Sequence, residues 1–180
     1  MIKTYKTVGL ILNQKNFFEA DRLLTVFTKD FGRLRLLAKS VRKLTSRKRG
    51  HLELFSQVKI VCAKGKNLDL ITEAETVNNF PVLRRNLNRV RIAYLLCELV
   101  NDLTAENQEH DDVYQLLLNN LLLLDSSSAP QNLIFNFEKS LLELLGFGLP
   151  AGALAKVGRQ SLETYISSIT EKPLNSKKIR

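Results

Sequence analysis

The apolar positions change period once along the chain. Through residue 79 they alternate with polar ones in short runs, and beyond Pro81 they recur every three to four residues. Period two places successive side chains on opposite faces of a strand, whereas spacings of three and four place them on one side of a helix. "TVGLIL" opens the first region. "DRLLTVFT" and "RLRLLAK" follow, joined by "KDFG" with Gly32 at its end, which predicts a hairpin. In "HLELFSQVKIVCA" the even positions Leu52, Leu54, Val58, Ile60 and Cys62 are apolar, predicting one half-buried antiparallel strand. "KGKN" turns around Gly65, and "LDLITEAETV" is the fifth strand. Five short strands interrupted by one long connector predict a small closed barrel or a sandwich.

Four helices are expected after Pro81. "RRNLNRVRIAYLLCELVNDL" carries two apolar stripes, Leu87, Val90, Tyr94 and Cys97 on one side, and Ile92, Leu96, Leu99 and Leu103 on another. Such a helix is buried on more than one side. "DDVYQLLLNNLLLLD" starts with two acids, which suit the positive end of a helix. After the connector "SSSAP", Pro130 can sit near the first turn of "QNLIFNFEKSLLELLGFG", which Gly146 or Gly148 ends. "RQSLETYISSIT" precedes the closing "EKPLNSKKIR". The fold class is therefore α+β, with a β-rich part over residues 1–80 and a helical part over residues 81–180.

Charge separates the same two regions. The chain has 180 residues and a net charge of +9. Residues 1–80 hold 16 Lys/Arg against 7 Asp/Glu, while residues 81–180 hold 11 of each, so the whole surplus lies in the β-rich part. It is concentrated further in "GRLRLLAKSVRKLTSRKRG", with Arg33, Arg35, Lys39, Arg42, Lys43, Arg47, Lys48 and Arg49 and no acid from Phe31 to Leu52. Arg33, Arg35 and Lys39 share the outer face of one strand, and the connector continues the charge. Phe17, Phe18, Phe31 and Phe55 lie nearby. Phe55 falls out of phase with the apolar face of its strand, which would leave its ring available to stack on a base, although core placement is the commoner fate of any one Phe. Cations in fixed geometry flanked by aromatics are the means by which small barrels hold single-stranded nucleic acid. The expectation requires that these cations not be covered by carboxylates from the later helices.

Little in the chain points to catalysis. His51 and His110 are the only histidines, and neither has a partnered nucleophile or carboxylate in the sequence pattern. Asp111 and Asp112 are adjacent, so on a helix they diverge as capping charges and do not converge on a metal. "GFG" at 146–148 is too short to cradle a phosphate and reads as a helix end. Cys62 and Cys97 form no CxxC pair, so no zinc site is expected and the two thiols read as buried in a reducing cytoplasm. No cofactor is expected. The amino end reads as a first strand with no cleavage site, and "LLLNNLLLLD" is far shorter than the ~20 residues needed to cross a bilayer. A non-enzymatic intracellular protein is expected.

The order of residues from Glu19 to Ile60 resembles the N-terminal domain of the RecO family of bacterial recombination and repair proteins. The matching positions are Glu19, Asp21 and Arg22; Phe27, Thr28 and Gly32; Ala38 and Lys39; Lys43, Ser46 and Arg47; and Leu52 and Phe55. The closing segment resembles that family's terminal element at Lys172, Pro173, Leu174 and Ser176. The resemblance implies an OB-fold followed by a helical domain. It also implies binding of single- and double-stranded DNA, annealing of complementary strands, work with RecR to load RecA, and binding of the acidic tail of single-strand-binding protein, all in the cytoplasm at the nucleoid. Many relatives carry a four-cysteine zinc module after the "LLELLGFGLP" helix; this sequence has none there, so metal binding is not carried over.

The tail of single-strand-binding protein is acidic with an apolar tip and needs a hydrophobic pocket rimmed by cations. Arg84, Arg85, Arg89 and Arg91, placed on the first long helix, are the candidates, against the plainer reading of a solvated helix face. Two other functions remain open at this point. One is an RNA-binding OB module, because a basic groove does not tell RNA from DNA without a reader of the 2′-hydroxyl. The other is a protein adaptor acting through its helical half, with weak binding of the connector to anionic membranes.

Overall fold

The computed structural model describes residues 3–126, 132–148 and 159–170. Its first 80 residues form the five expected strands, β1 (Thr4–Phe17), β2 (Asp21–Thr28), β3 (Gly32–Ala38), β4 (Gln57–Ala63) and β5 (Asp69–Asn78). They close into a barrel in the order β1-β2-β3-β5-β4. Closure follows from the length of β1, which pairs with β2 along Gly9–Phe17 and with β4 along Thr4–Leu10. A bulge between Ile11 and Asn13 lets the strand bend from one partner to the other. Among these strands β3 pairs with β5 in parallel, and the other pairings are antiparallel. This is an OB-like barrel.

Its interior is filled from the inward phase of each strand by Leu24, Val26, Leu34, Leu36, Val58, Ile60 and Ile71, among others. The connector between β3 and β4 adds Val41 and Leu52, both fully buried in that core. The fourth strand starts later than the alternation suggests. Residues 51–56 form turns, and β4 begins at Gln57. The reason is local: Phe55 takes a left-handed backbone (φ +67°), and its N–H donates to the Ile11 carbonyl beside the bulge, while Ile11 N–H donates to the Ser56 carbonyl.

The helices are α1 (Pro81–Arg84), α2 (Leu87–Leu103), α3 (Asp111–Asp125), α4 (Leu133–Leu144) and α5 (Arg159–Thr170). The single long helix expected from residue 84 is divided. Asn86 adopts an extended backbone and its side chain accepts the Arg89 N–H at 3.2 Å, so it caps α2 as a new start. Of the two predicted stripes, Leu96, Cys97, Leu99 and Leu103 are buried, but Leu87 is exposed. Gly146 (φ +75°) ends α4: its own N–H donates to Glu143 and that of Phe147 to Leu142, the paired bonds of a Schellman turn. Pro130 and the closing segment with Lys172, Pro173, Leu174 and Ser176 lie outside the described residues. Among the described residues no helix is long and apolar enough to cross a membrane.

The contacts divide the chain into two compact units. One is the barrel with Ala105–Tyr114, so the loop before α3 and that helix's first turn belong with the strands. The other holds Pro81–Thr104 and the described residues from Gln115 onward.

Candidate nucleic-acid interface

Strand β3 alternates as expected. Leu34, Leu36 and Ala38 are buried, while Arg33 and Leu37 are half-buried and Arg35 is exposed on the opposite face. The chain then leaves the barrel as consecutive turns rather than a helix, and these turns are fastened at several points. Asp21 Oδ1 accepts the Ser40 N–H at 2.7 Å, and Arg42 N–H donates to the Ala20 carbonyl at 2.9 Å. Lys48 Nζ donates to the Ile71 carbonyl at 2.7 Å, and the Thr76 N–H donates to His51 Nδ1 at 3.2 Å. With Val41 and Leu52 buried as well, the basic segment is attached to the β2 side at one end and the β5 side at the other. His51 thus has a structural role.

These fastenings sort the predicted cations. Lys39, Lys43, Arg47 and Arg49 are exposed. Arg42 is exposed too, but its guanidinium donates to the carbonyls of Glu19 (2.9 Å) and Phe18 (3.5 Å). Lys48 is half-buried on its carbonyl, and desolvation lowers its pKa against the opposing pull of Asp21. It acts as a strut more than a phosphate ligand. Arg33 and Arg35 meet a carboxylate after all. Glu106, in the loop that packs with the barrel, lies 3.9 Å from Arg33 Nη1 and 4.0 Å from Arg35 Nε. Sequence reading missed it because Glu106 is some seventy residues distant and nothing around it marks a barrel contact. Both pairs are long and Glu106 is partly exposed, so each contributes about 0–1 kcal/mol and tunes its arginine without neutralising it.

The expectation for Phe55 is corrected: it is only 3% exposed and is a core residue. The alternation was counted through residues that are not strand, so its phase carried no information. The exposed aromatic beside the connector is Phe18, 78% exposed. The second set of candidates is corrected as well. Arg84 closes α1 and Arg85 lies between helices, so neither is on α2. Arg89 donates to the carbonyls of Leu124 (2.9 Å) and Ser126 (2.5 Å) at the end of α3, a structural task. Arg91 is half-buried on α2.

A cleft of about 330 Å³ opens elsewhere on the barrel unit among Tyr5, Asp30, Phe31, Lys64 and Glu109. Lys64 Nζ lies 2.9 Å from Asp69, which accepts the Tyr5 hydroxyl at 2.8 Å. Burial favours the neutral acid at Asp69, but Lys64, the Gly65 N–H and Tyr5 together hold its pKa below the ordinary value. With its lysine so engaged and Asp30 and Glu109 in its walls, this cleft does not suit a polyanion. Cys62 and Cys97 are buried thiols, pushed by burial up to about 11 and about 12, and are inert packing groups. Among the described residues no three metal-ligating side chains cluster.

A closed OB-like barrel with a fastened, cation-bearing connector, followed by a helical unit, defines the class of protein. Comparison with known proteins makes it specific: the chain belongs to the RecO family. The family description "Recombination protein O N terminal" matches residues 1–80, and "Recombination protein O C terminal" matches residues 84–179. Similar proteins named DNA repair protein RecO include that of Roseiflexus sp. (strain RS-1), 36% identical over 81% of this chain, and that of Desulforudis audaxviator, 35% identical over 88%. The one from Gloeothece citriformis is 33% identical over 94% of this chain. The chain spans 51%, 64% and 61% of the lengths of these three relatives.

Proposed function

We propose that this protein is a non-catalytic recombination mediator in DNA repair. Its barrel unit binds single- and double-stranded DNA through Arg35, Lys39, Lys43, Arg47 and Arg49, with Arg33 behind them. Complementary strands repel through their phosphates. A surface that neutralises both at once lowers that repulsion and raises their local concentration, which promotes annealing without nucleotide or metal. Family membership supports the further roles: work with RecR, delivery of RecA to DNA coated with single-strand-binding protein, and capture of that protein's acidic tail by the helical unit, with Arg84, Arg85 and Arg91 as its cationic rim. The setting is the cytoplasm, at the nucleoid.

The observation that carries this reading is the fastening of the basic connector. A loose charge run would spread over many conformations. Here, side-chain and backbone bonds to Ala20, Asp21, Ile71 and Thr76 fix where the charge stands. Replacing Lys43, Arg47 and Arg49 together by Glu tests it, since all three are exposed and the fold should survive. Affinity for a fluorescent single strand should fall at least about a hundredfold, on the scale of three phosphate contacts, and annealing should be lost. Undiminished annealing by a variant with an unchanged melting temperature would refute the assignment.

A further inference from the structure

We propose that Phe18, at the tip of the turn between β1 and β2, is a nucleobase-stacking residue that gives this chain a contact specific to single strands. The inference rests on the nucleic-acid reading above and extends it to a side chain that contributes no charge.

Three observations converge on Phe18. Its ring is 78% exposed, whereas those of Phe27, Phe55, Phe80 and Phe137 are buried. Its backbone is left-handed, φ +48°, a conformation that favours Asn or Gly; Phe55 (φ +67°) and Phe80 (φ +50°) share it, but both of those rings are buried, whereas that of Phe18 is not. A turn that needed only this geometry would be better served by Asn or Gly. The ring is also held: it meets half-buried Phe17 in a T-shaped pair, with centroids 4.4 Å apart and planes at 67°. A strained, solvent-facing aromatic held in place by a second aromatic is poorly explained by the needs of the barrel.

Its neighbourhood identifies the ligand. Arg42 of the basic connector donates to the carbonyls of Phe18 and Glu19, and Arg42 N–H to that of Ala20. The tip is therefore joined to the segment that carries Lys39, Lys43 and Arg47. A partner engaging both must be polyanionic and must also offer a flat apolar face. Single-stranded nucleic acid has both, whereas a duplex hides its base faces in the stack. An anionic membrane shares the charge, but interfacial binding scales with buried apolar area, and one ring with the exposed Leu44 of the connector offers little.

The test uses the full chain, a fluorescent oligothymidine and a duplex of equal length. Phe18→Asn keeps the left-handed turn and removes the ring. Its single-strand affinity should fall about tenfold, the scale of one lost base stack, with duplex affinity and the salt dependence unchanged and a melting temperature no lower than wild type. Phe18→Tyr should retain binding, and Phe18→Leu, apolar but not flat, should behave as Phe18→Asn does. Equal losses on single strand and duplex, full single-strand affinity in Phe18→Asn, or full affinity in Phe18→Leu would each overturn the proposal. So would binding to phosphatidylglycerol vesicles that disappears with the ring while oligothymidine binding persists. If the Lys43, Arg47 and Arg49 reversal abolishes binding and Phe18→Asn does not, the stacking inference alone fails. A wild-type chain that binds neither oligonucleotide brings down both.

Discussion

Gly32 is where the β2–β3 hairpin meets the loop that returns from the helices. Its backbone is left-handed, φ +64°, and its carbonyl accepts the Thr28 hydroxyl at 2.8 Å, which closes the turn. A side chain there would suffer twice: the conformation is unfavourable, and an added Cβ would overlap the carbonyl of Gln108. Gly32→Ala should destabilise the barrel unit by roughly 2–4 kcal/mol, the sum of left-handed strain and a backbone displacement. Gly50→Ala, where an added Cβ meets nothing within 4 Å, should be near neutral in the same urea titration. Equal midpoints for the two variants would show that the returning loop does not press on the hairpin. The turn itself was readable in "KDFG", because Gly between two alternating apolar runs marks a place where the backbone must turn left-handed. The pressure from Gln108 was not, since it depends on a residue far along the chain. Phe55 illustrates the opposite failure. Period two is a reliable guide only inside a strand, and a left-handed residue just before Gln57 resets the phase without any local mark in "HLELFSQ".

The elements themselves were largely readable, because alternation and helical spacing are consequences of geometry that each segment carries alone. β2 and α3 fall where the pattern places them, and α4 ends at Gly146 as its glycine suggests. What required the fold was pairing between distant elements, and the loop before α3 shows this best. It lays Glu106 beside Arg33 and Arg35, with the Asn107 N–H donating to the Arg33 carbonyl at 3.0 Å as backbone support. A phosphate arriving at these arginines displaces Glu106 or binds against its charge. The pairs are long and partly exposed, so the competition is worth at most about 1 kcal/mol. Glu106→Gln keeps the side-chain shape and removes the charge. Its single-strand affinity should rise by a factor of about two to five, on that same scale, and the gain should shrink as salt is added. Reduced affinity in this variant, measured by fluorescence anisotropy, would mean that Glu106 positions the arginines for DNA instead of competing with it.

Across the molecule the charge is uneven, and the two units differ less than the sequence halves do. Ala105–Tyr114 brings Glu106, Glu109, Asp111 and Asp112 to the barrel unit, so the surplus of nine counted over residues 1–80 becomes five. Steering by net charge is therefore weaker than composition suggests, and binding depends on the local array of exposed cations. Besides Arg42, whose guanidinium is engaged by the Phe18 and Glu19 carbonyls, five of them, Arg35, Lys39, Lys43, Arg47 and Arg49, stand along β3 and the connector. If each meets one phosphate of a single strand, the logarithm of the association constant should fall against the logarithm of salt with a slope of roughly −3.5. Affinity should then drop about a hundredfold between 50 and 200 mM salt. The slope, unlike a single affinity, counts contacts and so discriminates among arrangements. A value near −1 would mean that the connector grips only a phosphate or two and that the array is not used as a unit. A value beyond about −6 would require more cations than β3 and the connector expose, and would bring further exposed cations of the barrel unit, such as Lys15 and Lys59, into DNA binding.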